Sequence, residues 1–504
     1  MSTNASAMAF KTHLFRLPVF FANRYILLVT LHFGFTGKCT LLKYDVIIVG
    51  AGPAGIFSAL ELTEKTNLNV LMIDVGPDID KRKCPSSRGF ECVHCEPCSV
   101  LSGWGGAGAY SDGKLTLSTE VGGWLNQYVS TKELQALVKH VDGIYLKFGA
   151  SDRVYGSDNE KVDEIERQAS LAGLKLIRQE VRHMGTDKCK ETLQRMRKEL
   201  NGKITFRPKT EVKALITENH LIQGVETVEG EKIYGRYVII APGRSGAEWL
   251  QTEAQVRGLK TVNNPVDIGV RVEVLASVME NLTKALYEPK LVYYSRLFDD
   301  QVRTFCVSPY GEVTTESYDG VLTVNGGSYA ERKTDNTNFA ILVSTSFTEP
   351  FKEPIAYGKY VARLSNLLSG GVMVQRLGDL VVGRRSTPER LARSVVTPTL
   401  KNATPGDLSF VLPYRYLADI REMLQALDVI APGIHSRDTL LYGIEVKFYS
   451  SHLQLSNSLE SKIQNMFTIG DGAGVTRGLI QASASGVIVA SEILKREHLR
   501  AEPP

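Results

Sequence analysis

The sequence predicts an α/β protein built on a doubly wound parallel sheet, split in sequence by an inserted α+β domain. Three observations carry that expectation. A buried-type strand, a glycine-rich turn and a helix start at Tyr44, and a second such strand ends at Asp74. A matching strand, glycine turn and helix recur from Asn465 to the C-terminal region. The long stretch between them holds short strand-like runs and no second turn of the first kind.

The elements read as follows. Tyr44-Asp-Val-Ile-Ile-Val49 is a nearly continuous apolar run rich in β-branched residues, as a parallel strand covered on both faces should be. Gly50-Ala-Gly-Pro53-Ala54-Gly55 follows, and Ile56 to Thr66 places Ile56, Ala59, Leu60 and Thr63 on one helical face. Asn69-Val-Leu-Met-Ile-Asp74 completes a βαβ unit. Helices are expected over Leu134 to Phe148 and Asp163 to Leu171. Residues 204–240 read as an antiparallel meander ending in a buried strand, Tyr237-Val-Ile-Ile240, and a turn, Ala241-Pro-Gly243. Between about 264 and 444, strand-like runs mix with helices at Lys359 to Leu368 and Tyr416 to Ala426. Asn465 to Ile469 is the closing strand, and Gly478 to about Lys495 the closing helix.

The expected domains are therefore an N-terminal extension over 1–43, a nucleotide-binding domain over 44–264 and 444–504, and an inserted substrate domain over 265–443. The extension has five basic groups and no acidic one, and its longest uncharged apolar run, Tyr25 to Gly37, is short of a membrane span. It reads either as a targeting segment or as a mis-assigned start. The whole chain has a net charge of +4 over 504 residues, and the five basic groups of that extension exceed it, leaving the body near neutral. The remaining body offers no electrostatic footprint for nucleic acid or an anionic membrane, so a small-molecule partner and no stable membrane insertion are expected. With no convincing signal peptide, the expected compartment is the cytosol.

The chemistry starts at Gly50, Gly52 and Gly55. In a G-x-G-x-x-G turn between a strand and a helix, Gly50 makes the tight turn and Gly52 lets a pyrophosphate approach. Gly55 brings the helix close to the strand, and the helix N-terminus adds partial positive charge. Asp74, ending the second strand, stands where a ribose hydroxyl needs an acceptor. This pattern does not separate FAD from NAD. Two further segments, Ile239-Ile-Ala241-Pro-Gly243 and Thr468-Ile-Gly470-Asp471, resemble the second and third signatures of the glutathione-reductase-like FAD superfamily. The resemblance implies a Rossmann-like FAD-binding domain in which Asp471 holds the flavin's ribityl chain and the adenine meets backbone near Val212. The helix after Gly478 is full of small residues, so its N-terminus is expected to face the flavin, with Arg477 adding a charge beside it.

The segment from Cys98 to Lys114, with its Gly103-Trp-Gly105-Gly106 loop, has the glycine density of backbone that lies flat against a ligand. Together with Pro265-Val-Asp-Ile-Gly-Val-Arg-Val-Glu273, Val324-Asn-Gly-Gly-Ser328 and Gly470 to Gly478, it resembles a widespread prokaryotic family of FAD-dependent dehydrogenases, over about Tyr44 to Ile493. One departure stands out. Gly443 to Ser451 lacks the Glu-Thr-Arg-Thr-like run expected there, so substrate contacts do not carry over in that region. The resemblance stops at the cofactor. Flavin-mediated hydride transfer is the expected chemistry, and with no second nucleotide turn in view NAD(P)H would bind transiently beside the flavin as donor, or the electrons come from a protein. A flavin monooxygenase and a non-catalytic flavin-fold binding protein are the competing classes. Arg244, Arg271 and Arg384 are candidates for gripping an acidic substrate.

Cys84, Cys92, Cys95 and Cys98 form the last motif. Cys-x2-Cys-x2-Cys begins an iron–sulfur run, four thiolates equally close a zinc site, and reduced loop thiols are the third reading. His94 is a spare ligand.

Overall fold

Alternate residues of each strand in the first sheet feed two different cores. Val46, Ile48, Val70, Met72, Tyr237 and Ile239 point to one face, where helices Pro53–Lys65, Thr131–Lys147 and Leu479–Ala501 cover them. Ile47, Val49, Leu71, Ile73, Val238 and Ile240 point to the other, against antiparallel strands and helix Ala247–Val256. Both faces are covered, which is why these strands read as unbroken apolar runs. The computed structural model describes residues 44–85, 93, 95–262, 266–318, 320–329, 332–345, 354–447 and 452–501. The expected extension, Cys92, His94 and Pro265 lie outside them.

The parallel order is Thr205–Pro208, Val70–Asp74, Tyr44–Val49, Lys232–Ile240 and Met466–Thr468. Lys232–Ile240 belongs to two pairings. Its last residues lie parallel to Tyr44–Val49 and are continuously buried, whereas Lys232–Tyr234 alternate in exposure and pair antiparallel with Leu221–Thr227. Helix Leu479–Ala501 crosses Pro53–Lys65 at unusually short range. A Cβ on Gly486 would stand 2.2 Å from the Ala54 carbonyl oxygen, and Ser58 Oγ donates to Gly486 O at 3.2 Å. The run of small residues in the closing helix exists for this crossing.

The second sheet has eight strands, with Val266–Leu275 near its centre between Asn336–Thr345 and Leu440–Lys447, both antiparallel to it. Helices Ala276–Leu286, Pro354–Ser369 and Tyr414–Ile430 share its core. Two details depart from the expected boundaries. Leu440–Lys447 runs straight through 443/444, and Lys175–Ile177, from the first part of the chain, forms the sheet's edge beside Lys290–Tyr294. Helix Asn159–Leu171 packs into the same core. Among the described residues, no helix is long and apolar enough to cross a membrane.

A charged seam joins the small sheet around Lys114–Thr116 to this second sheet. Lys114 Nζ lies 2.9 Å from Asp112 and donates to Val307 O at 2.6 Å, while Glu288 accepts from Lys290 Nζ at 2.7 Å and from Cys306 N–H at 3.0 Å. His183 stacks on Tyr287 with ring centroids 4.4 Å apart, and burial pushes it down to about 4. A histidine depressed in the folded state binds its proton more readily when unfolded, so stability falls as pH drops from about 6.5 towards 4. The shift is worth on the order of 3 kcal/mol. His183→Phe keeps the stacking and should gain stability over wild type at pH 5 compared with pH 7. The difference between the two proteins must be read, because Asp419, pushed by burial up to about 6, titrates in that window with opposite sign. Denaturation midpoints at both pH values test it, and parallel curves would exclude His183 as the source.

Candidate cofactor site

Gly50 turns the chain away from the sheet at φ +108°, and a Cβ there would sit 1.9 Å from Ala241 O. Gly55 is equally constrained, its Cβ position being 2.1 Å from Gly50 O. Gly52 differs. Its backbone is extended, at φ −78° and ψ −178°, and the nearest atom to a Cβ would be Gly106 Cα at 3.9 Å. Pro53 opens the helix, whose first turn receives no side-chain cap and holds no acidic residue. The helix N-terminus therefore keeps its unpaired amides and partial positive charge.

The Gly103–Gly106 loop lies directly over this turn, with Gly105 N–H donating to Ala51 O at 2.7 Å. Two buried charges hold it from opposite sides. Asp74 accepts from the N–H groups of Ala51 (2.8 Å), Gly76 (2.8 Å) and Gly103 (2.7 Å). Burial raises its pKa against the pull of those amides and of Arg82. Asp74 thus organises backbone here, a task the sequence reading did not give it. Arg82 was missed altogether. It is 4 % exposed and donates to the carbonyls of Ser99, Val100, Trp104 and Gly106. Val212 starts its strand close by, since Thr210 N–H donates to Asp74 O at 2.9 Å.

The second cluster forms where Ala241-Pro-Gly243 meets Gly470-Asp471. Gly472 has no room for a side chain, its Cβ position being 2.0 Å from Gly243 O. Asp471 accepts from Thr476 Oγ1 at 2.8 Å. Burial raises the Asp471 pKa, and the charges of Arg244 and Arg477 oppose that rise. Gly478, at φ +84°, precedes the closing helix, and nothing lies within 4 Å of its Cβ position. Arg477 is half-buried with its guanidinium 4.5 Å over the Trp124 ring. Trp124 arrives because Gly122–Trp124 pairs with Val475–Arg477, through Trp124 N–H to Val475 O at 3.0 Å and Arg477 N–H to Gly122 O at 2.6 Å. The sequence reading passed over this glycine pair. The two clusters meet at Gly470, whose Cβ position is 3.2 Å from Ala54 Cβ.

The three candidate substrate arginines do not converge. Arg271 is completely buried, bonded to Asn338, Ser308 and Cys306 O and facing Glu445 at 3.5 Å, so it is unable to meet a substrate. Arg384 pairs with Asp379 at 2.8 Å elsewhere in the second sheet's surroundings. Arg244 alone sits beside Asp471, bound to Glu316 at 2.8 Å. Of the cysteine run, Cys84 is buried and Cys95 and Cys98 half-buried. Hydrogen bonds from Ser99 hold the Cys95 thiol below its ordinary pKa. With Cys92 outside the described residues, the quartet as such is not formed by them, and no group of three or more His, Cys, Asp or Glu among those residues is arranged to hold a metal ion.

Residues 44–264 match the family model described as pyridine nucleotide-disulphide oxidoreductase, and residues 265–448 the model described as FAD-dependent protein, C-terminal domain-like. An uncharacterized protein of Clostridium beijerinckii is 28% identical over 488 residues, covering 90% of this chain and 81% of the relative. Among solved structures, L-proline dehydrogenase from P. horikoshii aligns with a TM-score of 0.39 at 14% identity, covering 90% of this chain and 94% of that one. Glycine oxidase from Geobacillus kaustophilus aligns at 0.38 and 12%, covering 90% and 95%. Nothing about this chain's substrate follows from likenesses that distant.

Proposed function

We propose that this FAD-dependent oxidoreductase passes a hydride between a small organic substrate and FAD lying across the two clusters, with NAD(P)H as a transient electron donor. The observation that carries this reading is a half-buried carboxylate, Asp471, lying within the electrostatic reach of two guanidiniums, Arg244 and Arg477, at the uncrowded start of the closing helix. The residues present fit the cofactor. The uncapped turn at Gly52 and the edges of Gly105 and Gly106 would receive its pyrophosphate, with Asp74 and backbone near Val212 on the adenosine side. Ala241, Gly243, Gly470 and Asp471 would receive the ribityl chain. When bound, the flavin supplies the two-electron chemistry.

The chain's own work is placement and charge. Asp471 accepts hydrogen bonds, and the helix from Leu479 directs its N-terminal dipole at whatever lies beside Gly478. Arg477, steadied by Trp124, adds a full positive charge that favours an anionic reduced cofactor. Arg477→Ala should therefore lower the flavin's reduction potential, whereas Arg477→Lys should keep most of it. An interaction of about 1.4 kcal/mol corresponds to about 30 mV for a two-electron couple. Dye-equilibrated spectroscopic titration of the purified protein reads this directly. An unchanged potential would remove Arg477 from the flavin's surroundings, and anaerobic mixing with NADH or NADPH tests the donor.

A further inference from the structure

At the end of the second sheet farthest from Asp471, a cavity of about 310 Å³ is lined by Arg376, Arg384, Arg390, Arg393, Arg437 and Asp438. Four segments bring these together. Arg376 ends strand Met373–Arg376 and lies opposite Leu440 in register, Arg384 follows helix Leu377–Val381, Arg390 and Arg393 come from and just after helix Pro388–Ala392, and Arg437 precedes strand Leu440–Lys447. Lys447, at that strand's other end, is 4.0 Å from Glu316, which binds Arg244. Seven residues of extended strand separate the two ends, roughly 23 Å at about 3.3 Å per residue. The cavity is thus separate from the flavin end.

Its charge is left unbalanced. Asp438 binds Arg376 at 2.7 Å, and Asp379 binds Arg384 at 2.8 Å and approaches Arg390 at 4.0 Å. Asp438 and Asp379 thus answer three of the five guanidiniums, and the exposed Glu389 near Arg393 is shared with a sixth, Arg385, so positive charge remains in excess. Guanidiniums stay protonated at any working pH. Arg376 is 4 % exposed, and its Nε has no hydrogen-bond partner. A buried donor left unpaired costs free energy, and converging like charges add to it. The rim residues Arg384, Arg393 and Arg437 are exposed, so a ligand enters from solvent. No aromatic or apolar residue lines the cavity, so recognition there rests on the guanidiniums.

We propose that this cavity is a binding site for phosphoryl groups, taking a small anion of two or more negative charges through forked guanidinium contacts. Phosphate oxygens match the arginine fork and supply the charge the wall lacks. The source is either a free polyphosphate or the phosphates of a nucleotide.

The test uses the flavin-loaded full-length protein, titrated calorimetrically with inorganic pyrophosphate and with ADP at low salt. One site per chain is expected, with affinity falling as ionic strength rises. Arg393→Gln with Arg437→Gln, both exposed and outside the flavin site, should weaken binding at least tenfold and leave flavin content and melting temperature without ligand unchanged. Equal affinity for both probes identifies a free polyphosphate, and tighter ADP identifies a nucleotide; either supports the site. Absence of binding by both at millimolar concentration overturns it. So does binding unchanged in the double variant, or binding of single-stranded RNA that pyrophosphate does not displace.

Discussion

Gly52→Val should give a folded, colourless protein. The other two glycines of the turn are fixed by the fold itself. Gly50 has a left-handed backbone, and a Cβ at either Gly50 or Gly55 would lie about 2 Å from a carbonyl oxygen. Alanine at Gly50 forces its turn away from Ala241, and alanine at Gly55 forces the helix away from the strand end at Gly50, so those variants should lose the fold. Gly52 has neither constraint. Its extended backbone is open to any residue, and a methyl group there meets only Gly106 Cα at 3.9 Å. What it protects is free space at an uncapped helix N-terminus, where branched γ carbons of valine would stand. Loss of FAD affinity by at least a hundredfold is expected, about 2.7 kcal/mol, while the apoprotein keeps its melting temperature. Gly52→Ala should bind with intermediate affinity. Flavin absorbance after reconstitution and near-ultraviolet circular dichroism measure the two halves of the prediction. Full FAD occupancy in Gly52→Val would refute the placement of the pyrophosphate.

That contrast also marks where the sequence was legible. Strands Tyr44–Val49 and Val70–Asp74 were readable because burial on both faces leaves one unbroken apolar run, and the turn between them because only glycine satisfies Gly50. The closing helix was readable from its small residues, which are demanded by the crossing at Gly486. Helix Thr186–Glu199 was not. Only Cys189, Thr192, Leu193 and Met196 are buried in an otherwise charged segment, a stripe too narrow to stand out. Helix Ala276–Leu286 follows its strand with no side-chain cap to announce it. One edge strand was hidden for a different reason. Lys175–Ile177 is three residues long, and its place at the edge of the second sheet depends on Lys290–Tyr294, more than a hundred positions away. In the site, glycine spacing was visible, but pairings across the chain were not. Nothing local says that Gly122–Trp124 will lie along Val475–Arg477. The three substrate arginines were equally unreadable, since a charge alone does not say whether its partners are Asn338 and Glu445 or solvent.

Arg82 is the sharpest case of a residue whose importance only the structure reveals, and Arg82→Leu should be the most damaging single change outside the glycines. In sequence it stands between two lysines, as a solvated loop cation would. Folded, its guanidinium spends its donors on loop carbonyls. Nη1 reaches Trp104 O at 2.6 Å and Gly106 O at 2.8 Å, Nη2 reaches Ser99 O and Val100 O at 2.9 Å, and Nε reaches Ser99 O at 3.2 Å. The five N–H groups of an arginine are all used, in a plane that a lysine does not reproduce. Asp74 supplies the opposite charge while holding Gly103 N–H, so the loop is clamped by its carbonyls on one side and an amide on the other. Leucine would leave the buried carbonyls of Trp104 and Gly106 and the half-buried ones of Ser99 and Val100 without these donors, and Asp74 without its cation. Removing one partner from a buried charged network costs about 3–5 kcal/mol. The apoprotein should show that loss in its urea midpoint, and FAD affinity should fall with it because Gly105 and Gly106 are no longer held against Ala51. Arg82→Lys should recover the charge but fewer of the contacts, landing between the two. Lys83→Leu, one exposed position along, should change neither quantity. If Arg82→Leu unfolds within 1 kcal/mol of wild type and binds FAD normally, the loop is held by its own packing around Trp104 and the clamp is incidental.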